Sequence, residues 1–330
     1  MNEDISIILK INGKEPDKTT ADAITAITYI DNDDEHADDL QIITTDNSAF
    51  AKGDRITLQI VAEKWRGSNK PVALSCGEFA IDEIEDCGAK DITAIKAAAI
   101  TAESAIRQNE RCQAWEQVNL KQVADEIGER NGVNVVMATD YNPIFTRREQ
   151  LYKSDVRFLA DLCREVGLSL KFTSNALVIY SRYEYGNKEA VRTFERGKEG
   201  IKTDKIRQAS NDTGYGKCII RYKSPNTKEL IEYAYIHSDS GKTMQIIRRA
   251  ASTEEAKRTA LYAIKEKNCG EYTGVIECEG DITLSTGNVV MIQGYGAPDG
   301  KYIITKTIHS IRGNIYDTKI FIEKILEGYE

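Results

Sequence analysis

The stretch Gly287–Gly300, GNVVMIQGYGAPDG, is where phosphate chemistry could sit in this 330-residue chain. An apolar run, Val289 to Ile292, leads into Gly294-Tyr-Gly296, much as a dinucleotide-binding loop begins. Such a loop works because a helix starts directly after it and offers free N–H groups and a positive dipole end to the anion. Residues 301–311 are instead rich in β-branched side chains and carry no 3.6-residue apolar stripe, so they read as a strand. Asp299-Gly300 is a turn pair suited to positive φ. The expectation is a β-hairpin and no cofactor-binding residue.

Other reactive groups fare no better. The acidic run Asp31–Asp39, DNDDEHADD, offers oxygen ligands at alternate positions, as calcium requires. Its sixth position is His36 rather than Gly, and its twelfth is Ile42 rather than Glu. A solvated loop between two strands is expected, with no metal ligand. The three histidines, His36, His237 and His309, have no partner at helical metal spacing and no Gly-x-Ser-x-Gly nearby. His309 falls on a strand, where it reads as an ordinary hydrogen-bonded side chain. The seven cysteines, at 76, 87, 112, 163, 218, 269 and 278, are odd in number and form no Cys-x-x-Cys pair. They read as buried, reduced thiols. Carboxylates are plentiful enough for a paired-carboxylate hydrolase, but no pair stands out. No catalytic, cofactor-binding or metal-ligating residue is assigned, and no enzyme is expected.

The elements that would have to position a site are mainly β. Arg55–Glu63 alternates, with Ile56, Leu58, Ile60 and Ala62 on one face. Residues 5–11, 24–30, 40–45 and 76–84 are further strand candidates, separated by turns at Asn12-Gly13 and Gly53-Asp54. Residues 91–101 are Ala-rich but carry β-branched residues at 92, 93, 95, 100 and 101, and are read as a strand. Near Trp115 the character changes. Leu120, Val123, Ala124 and Ile127 share a helical face, with Asn119 as cap and Asn131-Gly132 as stop. A strand at 133–137 follows. Ser154 caps a second helix whose stripe is Phe158, Leu159, Leu162 and Val166, and strands at 168–173 and 176–181 close the unit.

Residues 1–111 thus read as a first β-barrel domain and 112–182 as a small α/β domain. The polar, turn-rich stretch 183–214 reads as a linker or long loop. Residues 215–330 read as a second β-barrel domain with one helix at about 252–267, opened by the capping box Ser252-Thr-Glu-Glu255. Its strands are expected at 217–223, 229–236, 271–278, 288–293, 301–311 and 315–324. The fold class is α+β, mainly β.

Composition sets outer limits. Hydrophobic residues are 41% and charged residues 29% of the chain, ordinary for a globular protein, and no apolar run approaches 18 residues, so no membrane span is expected. The N-terminus carries acids where a secretory signal would carry lysines. Residues 1–111 hold 22 acids against 12 bases, a net of −10, while the remainder holds 30 against 32. There is no basic stripe, which argues against sequence-specific nucleic-acid binding.

The order of units resembles the late control gene D family of contractile phage tails, baseplate hub proteins related to the opening domains of type VI secretion spikes. The matching residues run from about 4 to 325. In the first unit they are Ile11-Asn-Gly13, Thr28-Tyr-Ile-Asp31, Asp39-Leu-Gln-Ile42, Lys52–Leu58 and Gly77–Ile84. In the middle they are Ala114-Trp-Glu116, Gln150, Ser154–Leu159 and Arg164–Leu168. In the last unit they are the helix from Ser252, Gly287–Val290, Gly294, Asp299–Tyr302 and His309-Ser310. The middle of the linker and the acidic loop show no close match.

The resemblance implies a homotrimer in which each chain gives two tail-tube-like barrels. Six barrels in a ring would adapt a six-fold tail tube to a three-fold central spike. It also implies a spike protein, a tail tube protein, a tape measure protein and baseplate wedge proteins as partners. Assembly would take place in the host cytoplasm and the final location would be the virion tail baseplate or a tail-like particle. Rival readings are a tail-tip cell-wall hydrolase and a glycan- or peptide-binding module built on residues 112–182.

Overall fold

In a computed structural model the described residues are 5–33, 37–65, 70–88, 91–99, 106–107, 109–173, 176–223, 230–247 and 253–326. The chain opens with β1 (Ile5–Ile11), α1 (Lys18–Ala23), β2 (Ile24–Asn32), β3 (Asp39–Thr44), β4 (Arg55–Ala62), β5 (Val72–Cys87) and β6 (Ile92–Ala99). Strands β2 and β3 and most of β4 bury alternate residues. In β4, Ile56, Leu58 and Ile60 are wholly buried while Arg55 and Gln59 face water, the period-2 signature of a half-buried sheet. The Ala-rich segment forms β6 because its small side chains fit between β3 and β5, where Ile95 and Ala97 are buried. Propensity alone favoured a helix there, and sheet pairing overrode it.

The middle unit holds β7 (Glu110–Asn119), α2 (Leu120–Asn131), β8 (Asn134–Ala138), β9 (Ile144–Ser154), α3 (Asp155–Glu165), β10 (Ser169–Thr173) and β11 (Ala176–Tyr180). Asn119 and Gln122 form a reciprocal capping box at the start of α2, and Gly132 takes the left-handed C-cap at φ 66°. Ser154 caps α3 by accepting from the Arg157 N–H. Strands β10, β11 and β8 form one small sheet, and β7 with β9 a two-stranded ribbon. Leu120, Val123, Leu159, Leu162 and Ile179 are central to a core built from residues 106–179.

Next come α4 (Arg182–Gly186), β12 (Arg192–Glu195) and β13 (Ile201–Gln208). This is the stretch 183–214, read from its charge as a polar linker or long loop, and it carries two sheet strands instead. β12 pairs in parallel with a later strand through Arg192–Glu195, and buries Phe194 to 1% exposure. Among the described residues β13 pairs along one side only, so its outward residues remain polar, which is why its sequence looks like a loop.

The remainder contains β14 (Tyr215–Lys223), β15 (Leu230–Ile236), β16 (Lys242–Ile247), α5 (Thr253–Asn268), a short 3₁₀ turn (Cys269–Glu271), β17 (Tyr272–Glu279), β18 (Val289–Gln293), β19 (Gly300–Arg312) and β20 (Ile315–Lys324). β15, β14 and β16 make a sheet of their own, covered by α5 through Ala256, Ala260 and Ile264. Residues 215–330 therefore feed two sheets, not one barrel. Ser252 of the expected capping box lies outside the described residues.

The main sheet has twelve strands, in the order β1-β4-β5-β6-β3-β2-β19-β20-β17-β13, with β18 beside β19 and β12 beside β18. Two closed barrels were expected. Among the described residues the sheet does not close on itself, and its two halves share one antiparallel ladder, β2 against β19 from Asn32↔Lys306 to Ala26↔Arg312. Each half keeps its own core, around Ile42, Ile60 and Phe79 in the first and Ile276, Tyr302 and Ile322 in the second.

Candidate functional site

The Gly-rich stretch is a hairpin, β18 to β19, registered Val289↔Ile303 to Ile292↔Gly300. The Asp299 carboxylate accepts from the backbone N–H groups of Gly294, at 3.0 Å, and Tyr295, at 2.7 Å. The donors that would cradle a phosphate are thus taken by the loop's own acid. Gly294 and Gly296, at φ 86° and 83°, provide the tight turn.

The acidic loop is the larger departure. Asp31, Asn32, Asp33 and Asp38 are buried, not solvated, with 4–8% exposure. They sit at the seam between the two halves of the main sheet, where β2 meets β19. Lys171, on β10 of the middle unit, donates to Asp31 Oδ1 at 2.6 Å and also to Thr286 Oγ1. Thr286 returns two bonds to Asp31, from its N–H at 2.8 Å and its hydroxyl at 2.7 Å. Asp33 accepts from the Tyr180 hydroxyl and pairs with Arg182 Nη2 at 3.0 Å. Arg182 also reaches Glu323 of β20 at 3.5 Å. Three segments distant in sequence are tied at one point. The positive charge that calcium would have brought is supplied by a lysine and an arginine.

Burial shapes the protonation of this cluster. Desolvation, reinforced by the nearby Asp31 charge, raises the Asp38 carboxyl to about 7, although Lys171 and two hydrogen bonds pull the other way. Those bonds come from the Asn32 N–H at 2.9 Å and the Tyr29 hydroxyl at 3.1 Å. Burial also pulls the Lys171 ammonium down, but Asp31 and Asp38 more than offset this, and its pKa is raised. His309 stacks on Tyr29 at 5.9 Å and meets the Tyr316 hydroxyl through Nδ1 at 2.8 Å. Desolvation lowers its imidazole to about 4, so the ring is neutral.

Of the residues weighed for chemistry, the structure brings Asp31, Asp33, Asp38, Cys76 and His309 into one region. His36 lies outside the described residues, and His237 follows β15 at the surface. Among the described residues no group of three His, Cys, Asp or Glu side chains could hold a metal ion. All seven cysteines are free, but Cys87 and Cys112 are exposed, contrary to the expectation of buried thiols. Lys171 and Arg182 carried no motif. The signal that could have found Lys171 is a lone charge inside the short apolar strand Ser169–Thr173. No described helix is long and apolar enough to cross a membrane.

A second buried node lies within the middle unit. Asp155, 1% exposed, accepts from Arg130 and Asn131 at the end of α2 and from Gln150 of β9. Burial pushes its carboxyl up, but these bonds outweigh that and lower its pKa. Asp155 thereby locks α3 to α2.

No protein-family model matches the chain. In sequence the chain is 25% identical over 178 residues to a probable baseplate hub protein of Escherichia phage 186. That match takes in 52% of this chain and only 44% of the relative's length. In structure it resembles the 43 kDa tail protein of prophage MuSo2 from Shewanella oneidensis, with TM-score 0.71, 16% identity, and coverage of 96% of this chain and 98% of that one. It also resembles an E. coli component of the type VI secretion system, with TM-score 0.62, 12% identity, and coverage of 98% and 78%. The resemblance read from scattered motifs therefore holds: this α+β, mainly β chain is similar in sequence to a phage baseplate hub protein and in fold to phage tail and type VI secretion proteins.

Proposed function

We propose that the chain is a structural baseplate hub of a contractile phage tail or tail-like particle, a trimeric adaptor between a six-fold tube and a three-fold spike, and not an enzyme. The observation that carries this is the main sheet itself. Two β units, from the beginning and end of the chain, pair across β2–β19 yet leave β1 and β13 each bonded on one side among the described residues. Open strand edges invite pairing. Neighbouring copies would cover them, so that residues 1–111 and the later β unit act as two tube-like barrels completed by assembly. The small α/β unit 112–182 then sits outside the ring.

The partners in this reading are two further copies, the central spike, the tail tube protein, the tape measure protein and the wedge proteins, at the virion baseplate after assembly in the host cytoplasm. The net −10 of residues 1–111 suits a lumen that must not bind DNA phosphates. Co-expression with the neighbouring spike gene, followed by light scattering, tests the reading. Three hub chains per complex are expected. Two or six chains, or a monomer beside its spike, would overturn it. Clearing of host cell walls by the purified chain would favour the hydrolase reading instead.

A further inference from the structure

The middle unit and the main sheet do not share a core. The unit's buried apolar residues come from 106–179, and none belongs to the clusters under the sheet halves. Between them, where α3, α5 and β20 meet, lies a cavity of about 210 Å³ lined by Leu168, Leu170, Arg182, Tyr262, Ile303 and Glu323. Close packing is the rule inside a protein, and here it is interrupted. What spans the gap is polar and mostly ionic: Lys171 to Asp31 at 2.6 Å, Arg182 to Asp33 at 3.0 Å and Glu323 at 3.5 Å, with the Tyr180 hydroxyl donating to Asp33 and Lys171 to Thr286. A buried ion pair gives little net stability against a well-packed apolar contact, but it fixes geometry, and removing one partner strands the other.

The unit also rests on α5, through an ion pair from Arg148 to Glu255 at 3.7 Å and the Arg258 guanidinium over the Tyr141 ring at 4.2 Å. The Tyr262 ring also lies so close to Gly167 that an added Cβ would fall 2.1 Å from it. These contacts do not depend on the ionic group.

We propose that residues 112–182 form a separately folded body whose orientation on the main sheet is set by an ionic latch, Lys171 and Arg182 against Asp31, Asp33 and Glu323. Opening the latch lets the body swing on its α5 contact while every core stays folded. In an assembly this makes the unit a movable part, and the inference stands whether or not the chain trimerises.

Electron–electron distance measurements between spin labels test it, in a background with the exposed Cys87 and Cys112 changed to Ser. One pair of labels, at Lys14 and Lys121, reports sheet to unit, and a second, at Lys121 and Lys257, reports unit to α5. In the unaltered latch both distance distributions are expected to be narrow. With Lys171→Glu and Arg182→Glu the first broadens and the second stays narrow, with circular dichroism unchanged. Exchanging the charges, Asp31→Lys with Lys171→Asp, narrows the first again. A first distribution that stays narrow on reversal, or is not narrowed by the exchange, overturns the proposal. If the reversed chain does not fold, Lys171→Gln replaces it: broadening supports the latch, and an unchanged distribution or loss of all cores in one transition overturns it.

Discussion

Asp38 and His309 sit a few side chains apart and push stability in opposite directions with pH. The Asp38 carboxyl is raised from 3.8 to about 7 in the fold. The native state then holds a proton that the unfolded chain releases, and stability from this group falls as pH rises through that window. His309 is lowered from 6.5 to about 4. The unfolded chain takes up its proton first, so stability from this group falls as pH drops from about 6.5 toward 4. Asp38→Asn keeps an acceptor for the Asn32 N–H and removes the ionisation. We expect the variant to outlast the parent in urea at pH 8, with the gap closing by pH 4. Equal midpoints at both pH values would show that Asp38 is not held protonated. At the hairpin, Asp299→Ala leaves two turn N–H groups without their acceptor and should cost about 1–3 kcal/mol, which a thermal melt reads directly.

At the scale of elements, β12 and α5 separate a packed structure from a string of linkers. Phe194, on β12, is 1% exposed within the core of the second sheet half. Phe194→Ala is expected to cost about 3–5 kcal/mol, as deletion of a buried aromatic does. A change below about 1 kcal/mol in denaturant titration would mean that 183–214 is a loop after all. On α5, Ala260 is fully buried against the β14–β16 sheet. Ala260→Gly loses a methyl group and adds backbone freedom, about 2 kcal/mol together. Leucine at the same site should be at least as damaging, because the small-residue face has no room for it.

The whole molecule depends on the β2–β19 seam, where residues 26–32 meet residues 306–312. A chain ending at residue 183 would lose β19 and leave β2 paired only with β3 on one side. Its apolar first core would then border an open edge, a template for uncontrolled pairing. Such a fragment is expected to form large, polydisperse aggregates in light scattering, while the full chain forms nothing beyond a defined trimer. A monodisperse, folded fragment 1–183 would show that the first half closes without its partner.

Local chemistry fixed much of this in advance. Alternation in Arg55–Ala62, the Asn119 and Ser154 caps, the Gly132 stop and the Asp299-Gly300 turn each act within a few residues, so their elements can be read in order along the chain. The motifs that led to the tail-protein resemblance are of the same local kind. Three things were decided only by tertiary structure. Strand β13 is polar because it borders the sheet on one side, and no local pattern reports a neighbour 70 residues away. Asp31 and Asp33 are buried because Lys171 and Arg182 arrive from another unit, 140 and 149 positions later, to neutralise them. The two β units form one sheet because β19 reaches back to β2 across the intervening chain. Burial and charge compensation are properties of the partner as much as of the residue. A sequence shows the acids of residues 31–39, and only the fold shows which cations they meet.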